Sequence, residues 1–343
     1  MATLIEADGG VYTGTAVSSV QRRPIGRIIA RRLVQVPIVL FIVSVLVFWL
    51  VQVVPGDPGR SVLGPYATDA QVALWKEQHG IVGASVEGYL TWLGAFLRGD
   101  WGISLLYNEP VRPLITAWLI NSMTLGVYAF VLVVVFGIAL GLFQAFHQGR
   151  RSDRGLTIGL VSLSAIPEFA VGTVLLVVFS VFLGWFPVYS GILPDTTLSD
   201  RLRAMTLPAF TLMAASVGYV ARMVRAGTIE TLESPFYRTA VLKGLRERQI
   251  VSNHVIRNSL VPSVAVLGGQ LAYLIGGTAV VETLFSYPGI GLASVVAVQR
   301  KDIFVLEAVI MVTALASIVL LLVTDLIYMA LDPRIDISSR NQQ

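Results

Sequence analysis

Cysteine is absent from this 343-residue chain, which excludes disulfides, thiolate metal sites and a cysteine nucleophile. Charge is scarce too: only 13% of residues are charged while 55% are apolar. A soluble domain carries about a quarter charged residues, so this is an integral membrane protein. No GxxxxGK[ST] segment occurs, so the chain lacks the phosphate-cradling loop that holds ATP. HExxH and GxSxG are missing, and His79, His147 and His254 are far apart, so a histidine metal site and an esterase-type elbow are both excluded. No nucleophile and base recur together within the apolar segments, which argues against an intramembrane enzyme.

What is present is a series of apolar runs. A spanning helix needs about twenty apolar residues, and six stretches meet this: Leu33–Val54, Ser122–Phe146, Leu156–Gly184, Leu207–Val224, Ser263–Leu284 and Val305–Ala330. Residues 1–21 form a polar, patternless tail that reads as disordered, and 22–54 combine a basic lead-in with the first span. That span follows too long a polar tail, and is itself too long, for a cleaved leader. Residues 55–121 form a loop, 122–333 the core with five spans, and 334–343 a second tail. Lys and Arg cluster on alternate sides: seventeen with the two termini and eight opposite. The side richer in Lys and Arg is cytoplasmic, so both termini are expected inside. The net charge of +4 follows from this asymmetry and does not call for a nucleic-acid partner.

The 55–121 loop has internal order. Thr68 and Gln71 form a capping box opening a helix, and Val86, Tyr89, Leu90, Leu93, Phe96 and Leu97 recur at helical spacing. The pattern predicts a small apolar face buried against the outer ends of the spans.

The segment 234–262 stays in water. Arg238, Lys243, Arg246, Arg248 and Arg257 fall within it, and each charge at a bilayer centre costs roughly 2.5–3.5 kcal/mol. Ser234 is a helix cap, Pro235 suits the first helical position, and Gly244 suits the left-handed stop. Phe236, Ala240, Val241 and Leu245 are expected on one face. A second helix over 247–259 would present Ile250, Val251, His254 and Val255. On pattern alone, this hairpin could be either a connector or a docking element.

Resemblance separates the two. Arg238-Thr239-Ala240, Gly244, Arg248, His254, Arg257-Asn258 and Pro262 resemble the EAA loop of ABC importer permeases, in the form of the dipeptide and oligopeptide branch. Arg238 stands where the general pattern begins with Glu, and the Gly-to-Pro spacing is longer, as in that branch. Pro55-Gly56-Asp57-Pro58 and Arg98-Gly99-Asp100-Trp101-Gly102 resemble landmarks of the B-type permease of such importers. Leu183–Pro187, Leu207-Pro208-Ala209, Glu282–Gly291 and Leu331–Ile335 extend the likeness over nearly the whole chain past residue 25. The resemblance implies an all-α integral membrane protein of type I importer architecture in the bacterial inner membrane, with six transmembrane helices, both termini cytoplasmic and a structured periplasmic loop. It implies a C-type permease partner, two ATPase subunits that bind ATP and Mg, an extracytoplasmic substrate-binding protein, and no cofactor in this chain. It also implies that Tyr237, Arg238, Thr239, Ala240, Lys243, Gly244, Leu245, Arg248, His254, Arg257 and Asn258 couple the chain to an ATPase. The bare residue reading of His254 is a packing or hydrogen-bonding role.

Polar residues inside apolar runs are candidates for a substrate path. Glu168, twelve residues into the third expected span, would sit about 18 Å deep along a straight helix. It either borders a path that can face a cationic group or satisfies backbone groups freed by Pro167. Gln270 and Tyr273 either line that path or bond between helices. Asp325, Glu282 and Glu307, near span ends, read as hydrated or structural. Gly137 with Gly141, and Gly155 with Gly159, have the spacing of close helix packing. The sequence also admits an ion-coupled secondary transporter of small solutes and a passive channel; the former would need matched broken halves, and no inverted repeat is apparent.

Overall fold

The computed structural model describes residues 25–53, 57–78, 81, 85–191, 196–244, 247–250, 255, 259, 267–271, 273–274 and 278–331. Among these the chain is helical, with one isolated bridge between Ile103 and Pro110. The helices are α1 (Ile25–Val53), α2 (Pro58–Leu63), α3 (Asp69–Gln78), α4 (Val86–Leu97), α5 (Val111–Phe146), α6 (Arg151–Ala165), α7 (Glu168–Leu175, continuing as a π-helix over Leu176–Phe182), α8 (Leu198–Glu233), α9 (Pro235–Leu242), α10 (Glu247–Ile250), α11 (Ala279–Phe285), α12 (Ile290–Arg300) and α13 (Ile303–Leu331). Four of them are long and apolar enough to cross a membrane, and two further spans result if each of two bent pairs counts as one.

The centre is the α5–α8 pair. Both have 36 residues, about 54 Å at 1.5 Å per residue, so each outruns a hydrocarbon core of about 30 Å. Leu125, Ala129 and Val133 of α5 meet Leu212, Val220 and Val224 of α8 in the main core. Gly137 and Gly141 permit this approach: a Cβ on either would lie within 2.7 Å of Val220, Val224 or the Ala221 carbonyl. Gly155 and Gly159 do not share that role, since nothing lies within 4 Å of where their Cβ atoms would be. α5 begins at Val111, well before Ser122 where the apolar run starts. Its first turns stay helical because they pack on α13, in a second core with Val111, Ile115, Val305 and Val309.

The third expected span is broken. α6 and the α7–π segment meet at 103° across Ile166-Pro167, because Pro167 lacks an N–H and pushes the residue before it out of helix; Ile166 is extended, at ψ 131°. A second bent pair, α11 and α12, turns through 81°, with Ser286 left-handed at φ 51° between them. α12 is a helix the apolar runs did not reveal. The fifth expected span, Ser263–Leu284, is only partly within the described residues; 267–271 and 273–274 are helical there.

The outer loop forms two small units. Thr68 and Gln71 make the reciprocal capping box, with Thr68 N donating to Gln71 Oε1 at 2.9 Å and Gln71 N to Thr68 Oγ1 at 3.4 Å. α4 packs on α1 through aromatic rings: Phe48 meets Tyr89 at 5.6 Å and Trp92 at 5.7 Å between centroids. Ser44 and the Tyr89 hydroxyl are bonded at 2.8 Å. Of the predicted stripe, Tyr89, Leu93 and Phe96 turn inward while Val86, Leu90 and Leu97 are exposed. Trp92 takes their place, its broad ring spanning the gap to α1.

Candidate functional site

The hairpin grows directly out of α8. Ser234 ends that helix and caps the next, donating from Oγ to the Thr231 carbonyl at 2.6 Å and accepting from Tyr237 N at 3.4 Å. Pro235 occupies the first turn of α9. Gly244 closes it at φ +73°, and its N–H donates to the Val241 carbonyl at 2.9 Å. Ala240, Ile250 and Val255 are buried together, with Tyr237 and Leu232 against them. Gly227 of α8 admits the Ser259 carbonyl to within 2.6 Å of where a Cβ would stand, so the segment returns against α8. The described parts of the hairpin are therefore packed against the most buried long helix.

Its outer surface carries Arg238, Thr239, Lys243 and Gly244, all exposed. Val241, expected on the inner face with Ala240, points outward instead, and Leu242 is 88% exposed. The reason is α9's length: its eight residues turn one face, that of Tyr237 and Ala240, towards Leu232 and Ile250. Leu245, His254, Arg257 and Asn258 lie outside the described residues, as do Phe236 and Arg248 side chains and most of the expected 247–259 helix beyond Ile250.

An ion pair fastens α6 to α8. Arg225 forks onto Asp153, Nε to Oδ1 and Nη2 to Oδ2, both at 2.9 Å. Asp153 also accepts from Gly149 N at 3.0 Å, where the turn is left-handed at φ +77°. Neither partner was singled out from the sequence, although Asp153 is the one acid among Arg150, Arg151 and Arg154.

At the other end a second carboxylate organises the α11–α12 turn. Glu282 is fully buried, accepting from Ser122 Oγ at 2.6 Å, Thr278 Oγ1 at 2.5 Å and Leu292 N at 3.0 Å. Its role is structural and dry: the turn of α11 folds α12 over it and removes it from water. Asp302 is buried as well, accepting from Ser104 Oγ at 2.5 Å and Leu106 N at 3.1 Å, which pins the outer loop to the start of α13. Glu307 is buried beside Trp92, whose indole donates to it.

Glu168 opens α7 immediately after the break. The 103° bend removes the straight ruler on which an 18 Å depth rested, so the depth follows the bend instead. Its carboxylate is half-buried, and Oε2 is enclosed with no hydrogen-bond partner among the described residues. Gln270 Oε1 is likewise enclosed and unpartnered there. Tyr273, half exposed and close enough to feel the Glu168 charge, follows Gln270 by one helical turn. Two acceptor oxygens, Glu168 Oε2 and Gln270 Oε1, thus lack partners among the described residues, and Glu168 lies near Tyr273 of the fifth-span segment.

A bundle of long, partly broken apolar helices built on a central glycine-packed pair, with a capped polar hairpin at one end, defines a multi-pass membrane permease. Residues 137–337 match the family described as binding-protein-dependent transport system inner membrane component, and residues 25–104 match the N-terminal family of the same components. The chain belongs to this family and is an inner-membrane permease of an ABC importer. It is 35% identical over 308 residues to the glutathione transport system permease protein GsiC of Escherichia coli (strain K12), covering 90% of this chain and 98% of that one. Identity and coverage are the same for GsiC of Shigella flexneri serotype 5b (strain 8401). Among solved structures, two inward-facing crystal forms of the MetNI methionine ABC transporter share the fold, with TM-scores of 0.52 and 0.53 at 16% and 15% identity, covering 64% of this chain and 96% of theirs.

Proposed function

We propose that this chain is a B-type permease that carries peptides inward across the membrane, paired with a homologous C-type permease. Two ATPase subunits on the cytoplasmic face bind ATP and Mg and act on the 234–262 hairpin, while a substrate-binding protein delivers the peptide from outside. One observation carries the reading: a rigid capped helix, α9, is clamped to α8 while Leu242 and its basic neighbours stay uncovered. A ligand shifts a conformational equilibrium only as far as its binding differs between the states. ATP closure, transmitted through such a clamp, would tilt α8 and with it the bundle. The excess of Lys and Arg on the hairpin's side supports a cytoplasmic placement with both termini. Peptide as cargo rests on the relatives' name, since glutathione is itself a tripeptide.

The absence of cysteine makes the test clean. Leu242→Cys in this chain, with the ATPase subunits left out, should react with a membrane-impermeant maleimide only from the cytoplasmic side, and adding the ATPase subunits should protect it. Proteoliposomes of the whole complex, with binding protein outside and ATP inside, should then accumulate labelled dipeptides. Labelling from outside, or uptake by the isolated chain driven by a proton gradient, overturns the proposal.

A further inference from the structure

Between α6 and α8 lies a cleft of about 720 Å³, lined by Arg154, Arg222, Arg225, Asp153, Thr157 and Ile158 among others. Two fixed rungs frame it. One is the Asp153–Arg225 fork; the other is the close approach of Gly218 to the Leu160 carbonyl, within 2.9 Å of where a Cβ would stand. Arg222 sits between these rungs, donating one N–H to the Gly218 carbonyl at 3.3 Å. Among the described residues the only carboxylate lining the cleft is Asp153, and Arg225 holds both its oxygens, so three guanidiniums face one acid and two positive charges are in surplus.

The cleft continues into an apolar track. Arg154, Ile158 and Val161 follow one another along a single stripe of α6. Ile158 is 67% exposed and Val161 46%. Beside them Gly155 and Gly159 leave a trough open to 4 Å and beyond. The cluster of Arg150, Arg151 and Arg154 immediately precedes the apolar run from Leu156, which puts the cleft where the hydrocarbon ends.

We infer that this cleft seats the phosphate of an anionic phospholipid between Arg154 and Arg222, with an acyl chain lying along Ile158 and Val161. Guanidinium groups bind phosphate through paired N–H donors, and basic pockets between membrane helices take anionic headgroups. A free phosphate would satisfy the arginines but leave the apolar track uncovered. The lipid would brace the α6–α8 joint beside the Asp153–Arg225 fork, next to the helix that carries the hairpin.

The experiment is native mass spectrometry of the purified whole complex, delipidated and titrated with phosphatidylglycerol or phosphatidylcholine. One phosphatidylglycerol should be retained in preference to phosphatidylcholine, and Arg154→Gln with Arg222→Gln should weaken its retention by about thirtyfold. The Arg154→Lys with Arg222→Lys variant should keep the preference, showing that the charge and not a folding defect is responsible. Ile158→Ser should weaken both lipids alike. Undiminished retention of phosphatidylglycerol by the Gln pair overturns the site. So does displacement by soluble glycerol phosphate at equal concentration, which would make it a plain phosphate site. Loss of an ATPase subunit from the Gln pair with lipid still bound would also overturn it, assigning the cleft to a protein surface.

Discussion

Arg225 holds both oxygens of Asp153 across the α6–α8 gap, and no other pair among the described residues fastens these two helices by charge. Asp153 is almost fully buried and Arg225 less so. Breaking such a fork leaves a guanidinium short of partners, and hydrogen bonds to charged groups are each worth about 1.5–3 kcal/mol. Asp153→Asn should therefore lower the stability of the purified complex by about 2 kcal/mol, read as a drop in its thermal midpoint. ATP hydrolysis by the partner subunits should persist, while uptake per ATP falls because α8 no longer carries α6 with it.

Gly244 offers a purely conformational test of the hairpin. Nothing lies within 4 Å of where its Cβ would be, so a side chain there meets no clash. The cost arises from the backbone alone, about 1–2 kcal/mol for an ordinary L-residue in the left-handed region. Gly244→Val should leave membrane insertion intact and uncouple hydrolysis from uptake. Gly244→Asn, which tolerates that region, should transport normally. Equal uptake by both variants counts against the docking role of α9.

How much of this was legible beforehand depended on the kind of signal. Caps are written locally, so Thr68 with Gln71 and Ser234 with Pro235 and Gly244 read directly from neighbouring residues. The central packing glycines, Gly137 and Gly141, were visible as a spacing, yet the same spacing at Gly155 and Gly159 faces away from the chain. Spacing alone does not say which partner a helix meets. Apolar runs overran the Pro167 break because hydropathy is blind to direction: residues on both sides are equally greasy while the chain turns by 103°. Glu282 was read as hydrated or structural without its partners, and Asp302 and Asp153 were not singled out, because their donors, Ser122, Ser104 and Arg225, lie 72 to 198 residues away. A carboxylate in an apolar run signals that a partner exists, and only the fold says which.

Glu282 yields a sharp prediction from that satisfaction. Hydroxyls from α5 and from Thr278, and an N–H of α12, all donate to it. Glu282→Gln turns an amide NH2 towards donors, leaving at least one buried bond unmade at about 1–3 kcal/mol. The variant should express as a less stable complex with faster proteolysis between α11 and α12. Ser122→Ala should cost at least as much, because it removes one donor from the carboxylate and also leaves the Ile290 N–H, which donates to Ser122 Oγ at 2.8 Å, without that acceptor.

The outer loop should respond to acid through Asp57. This residue caps α2, accepting from Gly59 N at 2.9 Å, and pairs with Lys76 Nζ of α3 at 2.7 Å. Partial burial pushes its carboxyl up, but the Lys76 ammonium and the α2 N–H groups outweigh it and hold the pKa below the ordinary carboxylate value. A depressed folded-state pKa gives stability that is full above the unfolded-state value and lost as pH falls through the folded one. The α2–α3 unit should thus stay closed at neutral pH, begin to lose this stabilisation only below about pH 4, and lose it fully only below the depressed value. Buried Trp75 packs beside Gly59, so its fluorescence should shift with acid in the parent chain, whereas Asp57→Asn should show the open signal at neutral pH and little change on acidification.

Glu168 carries the prediction that bears most directly on cargo. Its Oε2 is enclosed without a partner among the described residues, as is Gln270 Oε1, and the Pro167 break opens the helix at Glu168. An acceptor without a donor in an apolar setting is unfavourable, so a passing group that brings donors would be stabilised there. For the proposed peptide cargo, the amino terminus is a group that would bring such donors. Glu168→Gln should keep an acceptor oxygen but remove the charge, and a charge-assisted bond of about 1.5–3 kcal/mol corresponds to roughly ten- to hundredfold. Uptake of peptides with a free amino terminus should fall by about that factor, while N-acetylated peptides of the same sequence should be unaffected. Equal loss for both would mean that Glu168 supports the break itself, and unchanged uptake of both would remove it from the path.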